Sequence, residues 1–202
     1  MIKAVIFDFG GVLAEEGFRE GLKAIAMKNG LNPDDFFKTA EHIIYETGYV
    51  TGIADESIFW RALREKTGIK GRDYELREEI LKRFLLRPEM FKYVDNIRFA
   101  GLVAAILSDQ TNWLDEINEK TPFYRYFDFI FNSYKIRKSK RDSSIFSEIC
   151  LRIGVRPSET IFIDDNIRNI NAAESEGLKT IHFINIADFE EKFKAVLKQE
   201  DL

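Results

Sequence analysis

Asp8 follows the apolar run Ala4-Val5-Ile6-Phe7 and precedes two glycines, Gly10 and Gly11; Ser108 and Asp109 follow a second apolar run; Asp164 and Asp165 end another; and Lys140 stands in a basic stretch between them. Group transfer through a carboxylate needs a nucleophilic Asp, a divalent cation, donors for the oxygens of the transferred group and a positive charge against the negative charge that develops. Asp8 offers the carboxylate, Ser108 a hydroxyl, Lys140 an ammonium, and Asp164 with Asp165 hard oxygen ligands that suit Mg²⁺. Taken singly, each has an ordinary reading. An Asp before two glycines is a turn residue, Asp164-Asp165-Asn166 is a helix cap, and Ser108 is a local turn hydroxyl. Their conjunction at the ends of separate apolar runs is what points to a shared site.

The elements that must position these groups are short. Apolar runs at 4–7, 102–107, 127–131, 160–163 and 180–183 read as buried parallel strands, because a strand covered on both faces is apolar at nearly every position. Four of the five end in polar residues, and in a doubly wound sheet the carboxyl ends of the strands face the ligand crevice. Between and after them lies helix grammar. Asp142 caps a helix through Ile145, Phe146, Ile149 and Cys150 to Gly154; residues 167–176 form another, ended by Gly177; and residues 188–199 place Phe189, Phe193, Val196 and Leu197 on one face.

The stretch from Asp8 to the second strand has no strand signal and several punctuating glycines. Asn32-Pro33-Asp34-Asp35 opens one helix with a capping side chain, a proline in the first turn and acids at the positive dipole end. Residues 55–66 form another, stopped near Gly68, in which Phe59, Trp60 and Leu63 share a face that packs. Arg87-Pro88 opens a third, leading to Gly101 and the sheet. The expected fold is α/β, a doubly wound parallel sheet formed by residues 1–14 and 92–202, with residues 15–91 inserted as a small helical cap over the crevice.

Composition narrows the function. A net charge of −4 gives no overall attraction for nucleic acid or an acidic membrane, and the basic cluster from Lys135 to Arg141 reads as a solvated loop around one useful lysine. The single Cys150 forms no internal disulfide, His42 and His182 have no partners at metal-ligand spacing, and the apolar start of the chain is too short for a membrane span. The expectation is a cytoplasmic protein, monomer or homodimer, with a small-molecule partner.

Phe7-Asp8-Phe9-Gly10-Gly11-Val12-Leu13, Leu107-Ser108-Asp109-Gln110, Lys140-Arg141-Asp142 and Ile163-Asp164-Asp165-Asn166 resemble, in order, the four motifs of the haloacid dehalogenase-like (HAD) superfamily. The helical insertion resembles the small cap of its subgroup of sugar phosphatases, phosphoglycolate phosphatases and 2-haloacid dehalogenases. The resemblance implies Asp8 as nucleophile and Mg²⁺ held by Asp8, the Gly10 carbonyl and Asp165. It implies Asp164 in the same metal site, acting through water or by orienting Lys140, with Asn169 in support. Gly11, Ser108, Asp109 and Lys140 would bind the phosphoryl group of a small phosphorylated metabolite, hydrolysed through a phospho-aspartyl intermediate. Two departures stand out. Gly10 replaces the second Asp that protonates the leaving group in the phosphatases, so that help is absent or comes from elsewhere. Lys140 is followed by Arg141 rather than proline, with Lys138 as a rival cation. The alternatives are a 2-haloacid dehalogenase, in which Asp8 attacks carbon without a metal, and a binding or regulatory protein with weak turnover.

Overall fold

The computed structural model describes residues 1–198. Its centre is a five-stranded, wholly parallel sheet in the order β3-β2-β1-β4-β5, where β1 is Ala4–Phe7, β2 Val103–Ser108, β3 Phe129–Asn132, β4 Thr160–Asp164 and β5 Lys179–His182. Side chains alternate between the faces of a strand, so one strand feeds two cores. From β1, Val5 and Phe7 join one buried cluster while Ile6 enters the other.

The helices cover both faces. After β1 come α1 (Gly17–Lys28), α2 (Pro33–Glu46), α3 (Glu56–Thr67), α4 (Asp73–Leu81) and α5 (Pro88–Phe99); α6 (Trp113–Lys120) follows β2, and α7 (Ser133–Ile136) and α8 (Ser144–Ile153) follow β3. The chain then runs through α9 (Ile167–Ser175) between the last two strands to α10 (Ile186–Lys198). Phe91 and Val94 of α5 and Phe189 and Phe193 of α10 pack on the Val5 face; Ile145, Phe146 and Ile149 of α8 and Ile170 of α9 pack on the Ile6 face. The expected last helix is present, while Gln199 and the Leu197 side chain lie outside the described residues.

Local signals account for most boundaries. Asn32 accepts from the backbone N–H groups of Asp34 and Asp35 at the start of α2, and Asp55 accepts from Ile58 N–H at the start of α3. Gly68 ends α3 with φ 73°, a left-handed conformation that glycine adopts without a Cβ clash. Several boundaries shift by one or two residues, among them those of β2, β5 and α10, and two have a visible cause. β3 begins at Phe129, because Phe127 packs its ring edge-on against Phe7 and Phe91 before the strand starts. Helix α8 begins at Ser144, with Asp142 accepting from Ser144 N–H and Oγ–H.

The insertion leaves and rejoins the sheet through two strings of backbone that lie side by side. Glu15 N–H donates to Leu85 O and Arg87 N–H to Leu13 O, each at 2.9 Å, and the Arg87 guanidinium pairs with the Glu15 carboxylate. No helix among the described residues is long and apolar enough to cross a membrane.

Candidate active site

The chain runs β1, β2, β3 toward one edge of the sheet and then returns to the other side of β1 for β4 and β5. The strand order therefore reverses between β1 and β4, and adjacent loops there diverge to leave a crevice. Asp8 ends β1 and Asp164 ends β4, so the topology brings together two carboxylates that are 156 positions apart by subtraction of their residue numbers. Asp165 joins them, and one carboxylate oxygen from each of the three lies within 4.8 Å of the others.

Lys140, buried at 3% exposure, sits among these acids. Its Nζ is 2.6 Å from Asp164 Oδ2 and 3.0 Å from Asp8 Oδ2. Lys138 turns outward to Ser144, Asp142 and Glu148. Burial disfavours the Lys140 charge, but Asp164, Asp8 and Asp109 outweigh it and raise the pKa above the ordinary lysine value. The Asp8 pKa rises as well, which for a carboxyl disfavours the charged form. Burial, followed by repulsion from Asp164 and Asp165, pushes its carboxyl well up against the pull of Lys140. Burial and Asp164 also raise Asp165. Three acids around one ammonium leave a surplus of negative charge, and hard oxygen donors so arranged suit a divalent cation.

The three acids are not equivalent. Asp164 is fully buried and saturated: Oδ1 accepts from Asn166 N–H and Asn169 Nδ2, and Oδ2 from Lys140 and Asn169. Asp165 is half-buried and opens onto the crevice. It also lies against Gly11, whose φ is 81°; a Cβ there would sit 2.4 Å from the Asp165 Cγ. Gly11 itself lies behind the crevice wall, its carbonyl accepting from the Arg87 guanidinium. Ser108 ends β2 in register with Asn132, is 2% exposed and borders the crevice, and its hydroxyl has no hydrogen-bond partner among the described residues. The Asp109 carboxylate is engaged: it accepts from Lys140 N–H at 2.9 Å and from the Tyr45 hydroxyl of α2 at 2.9 Å.

The crevice holds about 430 Å³. Asp8, Gly10, Ser108, Asp109, Lys140, Asp165 and Asn169 form its floor, while Phe18 and Arg19 of α1 and Phe37, Glu41 and Tyr45 of α2 form the opposite wall. Three guanidiniums, Arg19, Arg141 and Arg168, border it, and Arg141 stacks on the Tyr45 ring with 3.3 Å from Cζ to the centroid. The sequence motifs assign no site role to Glu16, Arg19, Tyr45 or Arg141. The place of the first three in the crevice depends on how the insertion folds back, for which no local spacing exists, while Arg141 stands beside Lys140 and stacks on Tyr45.

A parallel sheet ordered in this way, with an aspartate at the end of its central strand facing an acidic pair across the switch point, defines a class. Residues 2–177 match the haloacid dehalogenase-like hydrolases, and the chain belongs to that family. Among curated proteins it is similar to a D-ribitol-5-phosphate phosphatase of Bacteroides thetaiotaomicron, with 26% identity over 98% of this chain and 99% of that one. Among solved structures it resembles a HAD family enzyme of Bacteroides thetaiotaomicron at TM-score 0.76 and 24% identity, covering 95% of this chain and 98% of that chain. That enzyme has also been solved with magnesium and inorganic phosphate, where the likeness is TM-score 0.70. An L-2-haloacid dehalogenase of Xanthobacter autotrophicus with chloropropionic acid covalently bound gives TM-score 0.67 at 18% identity over 96% of this chain and 83% of that chain. These structural likenesses are likenesses of fold.

Proposed function

We propose that the chain is a Mg²⁺-dependent phosphomonoester hydrolase of a small phosphorylated metabolite, in which residues 15–91 form a cap over a core of residues 1–14 and 92–202. The observation that carries this is the cluster of three carboxylates at the switch point, two of them paired with one buried ammonium. The guanidiniums that border the crevice support an anionic substrate, and the phosphatase similar over the whole chain makes a phosphorylated polyol or sugar the first candidate. The paired crossings at Leu13 to Glu15 and Leu85 to Arg87 support the cap boundaries. A cytoplasmic monomer or homodimer with no nucleic-acid partner fits the net charge of −4 and the lone cysteine.

Asp8, the Gly10 carbonyl and Asp165 would hold Mg²⁺, with Asp164 reaching it through water or acting through Lys140 and Asn169 bracing Asp164. The bound cation would offset the surplus negative charge and polarise the phosphoryl oxygens. Asp8 attacks phosphorus through a carboxylate oxygen. The free Ser108 hydroxyl donates to one phosphoryl oxygen, and Lys140 balances the charge that develops. Gly11 gives the loop its turn and lets Asp165 approach, while Asp109 holds the Lys140 backbone in place. Attack on carbon, as in a dehalogenase, has no use for the acidic pair, which would only repel the nucleophile.

The test is phosphate release from a panel of phosphorylated polyols, sugars and short acids, with Mg²⁺ and with EDTA. Release from at least one ester, abolished by EDTA, is expected. Binding of orthovanadate with Mg²⁺ but no turnover of any ester would favour a binding protein, and dehalogenation of 2-chloropropionate in EDTA would favour attack on carbon.

A further inference from the structure

The place where Gly10 lacks a side chain is not an empty place. A Cβ built on Gly10 would lie 3.9 Å from both carboxylate oxygens of Glu16, so Glu16 reaches the space that a short acidic side chain at position 10 would enter. Glu16 borders the same crevice as Asp8, Gly10 and Ser108. It stands directly before α1, and its Oε1 accepts from Arg19 N–H, which ties the carboxylate to the helix end. The Phe84 ring completes the mount. It would lie 3.3 Å from a Cβ at Gly10 and 2.5 Å from one at Gly17, so the glycine after Glu16 lets the ring press flat against the start of α1. A carboxylate tied to a helix end whose start packs on an aromatic ring is pre-positioned for proton transfer.

We propose that Glu16 is the general acid and base of this hydrolase, doing from the start of the cap what a residue at position 10 cannot do from the core loop. The inference rests on the phosphomonoesterase reading. In the first step Asp8 forms a bond to phosphorus, the bond from phosphorus to the ester oxygen breaks, and the Glu16 carboxylic acid gives its proton to that oxygen, releasing the alcohol. In the second, the Glu16 carboxylate takes a proton from water as the water oxygen attacks phosphorus. The bond from phosphorus to Asp8 breaks, inorganic phosphate leaves, and both carboxyl groups return to their starting states. Because Glu16 belongs to the inserted segment and Asp8 to the sheet, proton transfer depends on the insertion being docked.

Glu16→Gln tests this, since the amide oxygen can still accept from Arg19 N–H and cap α1. Rapid-quench kinetics with a nitrophenyl phosphate and with an alkyl phosphate such as a phosphorylated pentitol read the two steps. Nitrophenolate leaves without a proton, so the variant should label Asp8 within about threefold of the wild-type rate and then stall, giving a burst, while alkyl phosphate turnover falls about 10²-fold or more. Adding Gly10→Asp to Glu16→Gln should recover at least about tenfold of the alkyl phosphate rate. Alkyl phosphate turnover within about threefold of wild type would overturn the proposal. So would equal loss on both substrates together with a lower melting temperature, which would mean a purely structural cap. Wild-type enzyme that never labels at Asp8 and releases no phosphate would remove the phosphomonoesterase reading itself, and this inference with it.

Discussion

At the scale of single residues, the electrostatics of the crevice make opposite predictions for stability and activity. Asp8 is held well above its ordinary carboxyl value by burial and by the neighbouring acids. An acid raised in the folded state costs stability once it ionises, so its charge destabilises the metal-free protein at neutral pH. Asp8→Asn should therefore melt no lower than wild type in EDTA while losing all but a few per cent of turnover, since an amide is neither a nucleophile nor a good Mg²⁺ ligand. Melting curves and phosphate release check the two halves. The lysines separate in the same assay. Lys140→Ala leaves Asp8 and Asp164 without their shared cation and should cost about 10²-fold or more in rate. Lys138→Ala removes outward ion pairs and should change the rate less than about threefold.

Among the elements, the loop after β1 makes the sharpest contrast. Gly10 has no left-handed φ, and a side chain there needs only a small retreat of the Phe84 ring; Gly11 is left-handed and has the Asp165 carboxyl where its Cβ would go. Gly10→Ala should be nearly neutral in melting temperature. Gly11→Ala should destabilise by about 1–2 kcal/mol from backbone strain alone. By displacing Asp165 it should also weaken Mg²⁺ binding about tenfold or more, read by calorimetric titration. The strands were legible because burial on both faces leaves contiguous apolar runs such as Ala4 to Phe7, and Asp8, Ser108 and Asp164 were legible because each follows such a run directly. Lys140 was harder. Its neighbours Lys135, Arg137, Lys138 and Arg141 share its chemistry in sequence, and beyond its spacing to the helix that follows, it is the approach of β1 and β4 that separates it from them. Glu16 was not legible at all. Its approach to Gly10 depends on the path of the loop between β1 and α1, which no spacing in the sequence reports.

For the whole molecule, the helical insertion is held to itself and to the sheet by separate ties. Glu79 of α4, 8% exposed, receives Lys28 of α1, Lys82 and Arg83. Burial pushes its carboxyl up, but hydrogen bonds from these three cations outweigh it and bring the pKa down from 4.5 to about 2. A carboxyl depressed on folding contributes stability that is fully present above its unfolded value and is lost as pH falls from 4.5 through about 2. Glu79→Gln should cost about 1–3 kcal/mol at pH 7 and lower the melting temperature by roughly 2–4 °C per kcal/mol, with the gap to wild type closing across that acid window. Between insertion and sheet, Tyr45 bonds Asp109, the Tyr49 hydroxyl donates to Asn112 and the Ser133 hydroxyl to Val50 O, which places the crevice on the surface where the two meet. In the proposed reaction Asp8 is phosphorylated during turnover. The most direct test is acid quenching of the enzyme milliseconds after mixing with Mg²⁺ and a phosphorylated pentitol, followed by mass spectrometry of the peptide that contains Asp8. The account predicts a phosphoryl group on Asp8 that appears before steady state, decays as substrate is exhausted and is absent in EDTA. Product accumulating while Asp8 stays unmodified at every time, or a phosphoryl group on any other residue, would contradict it.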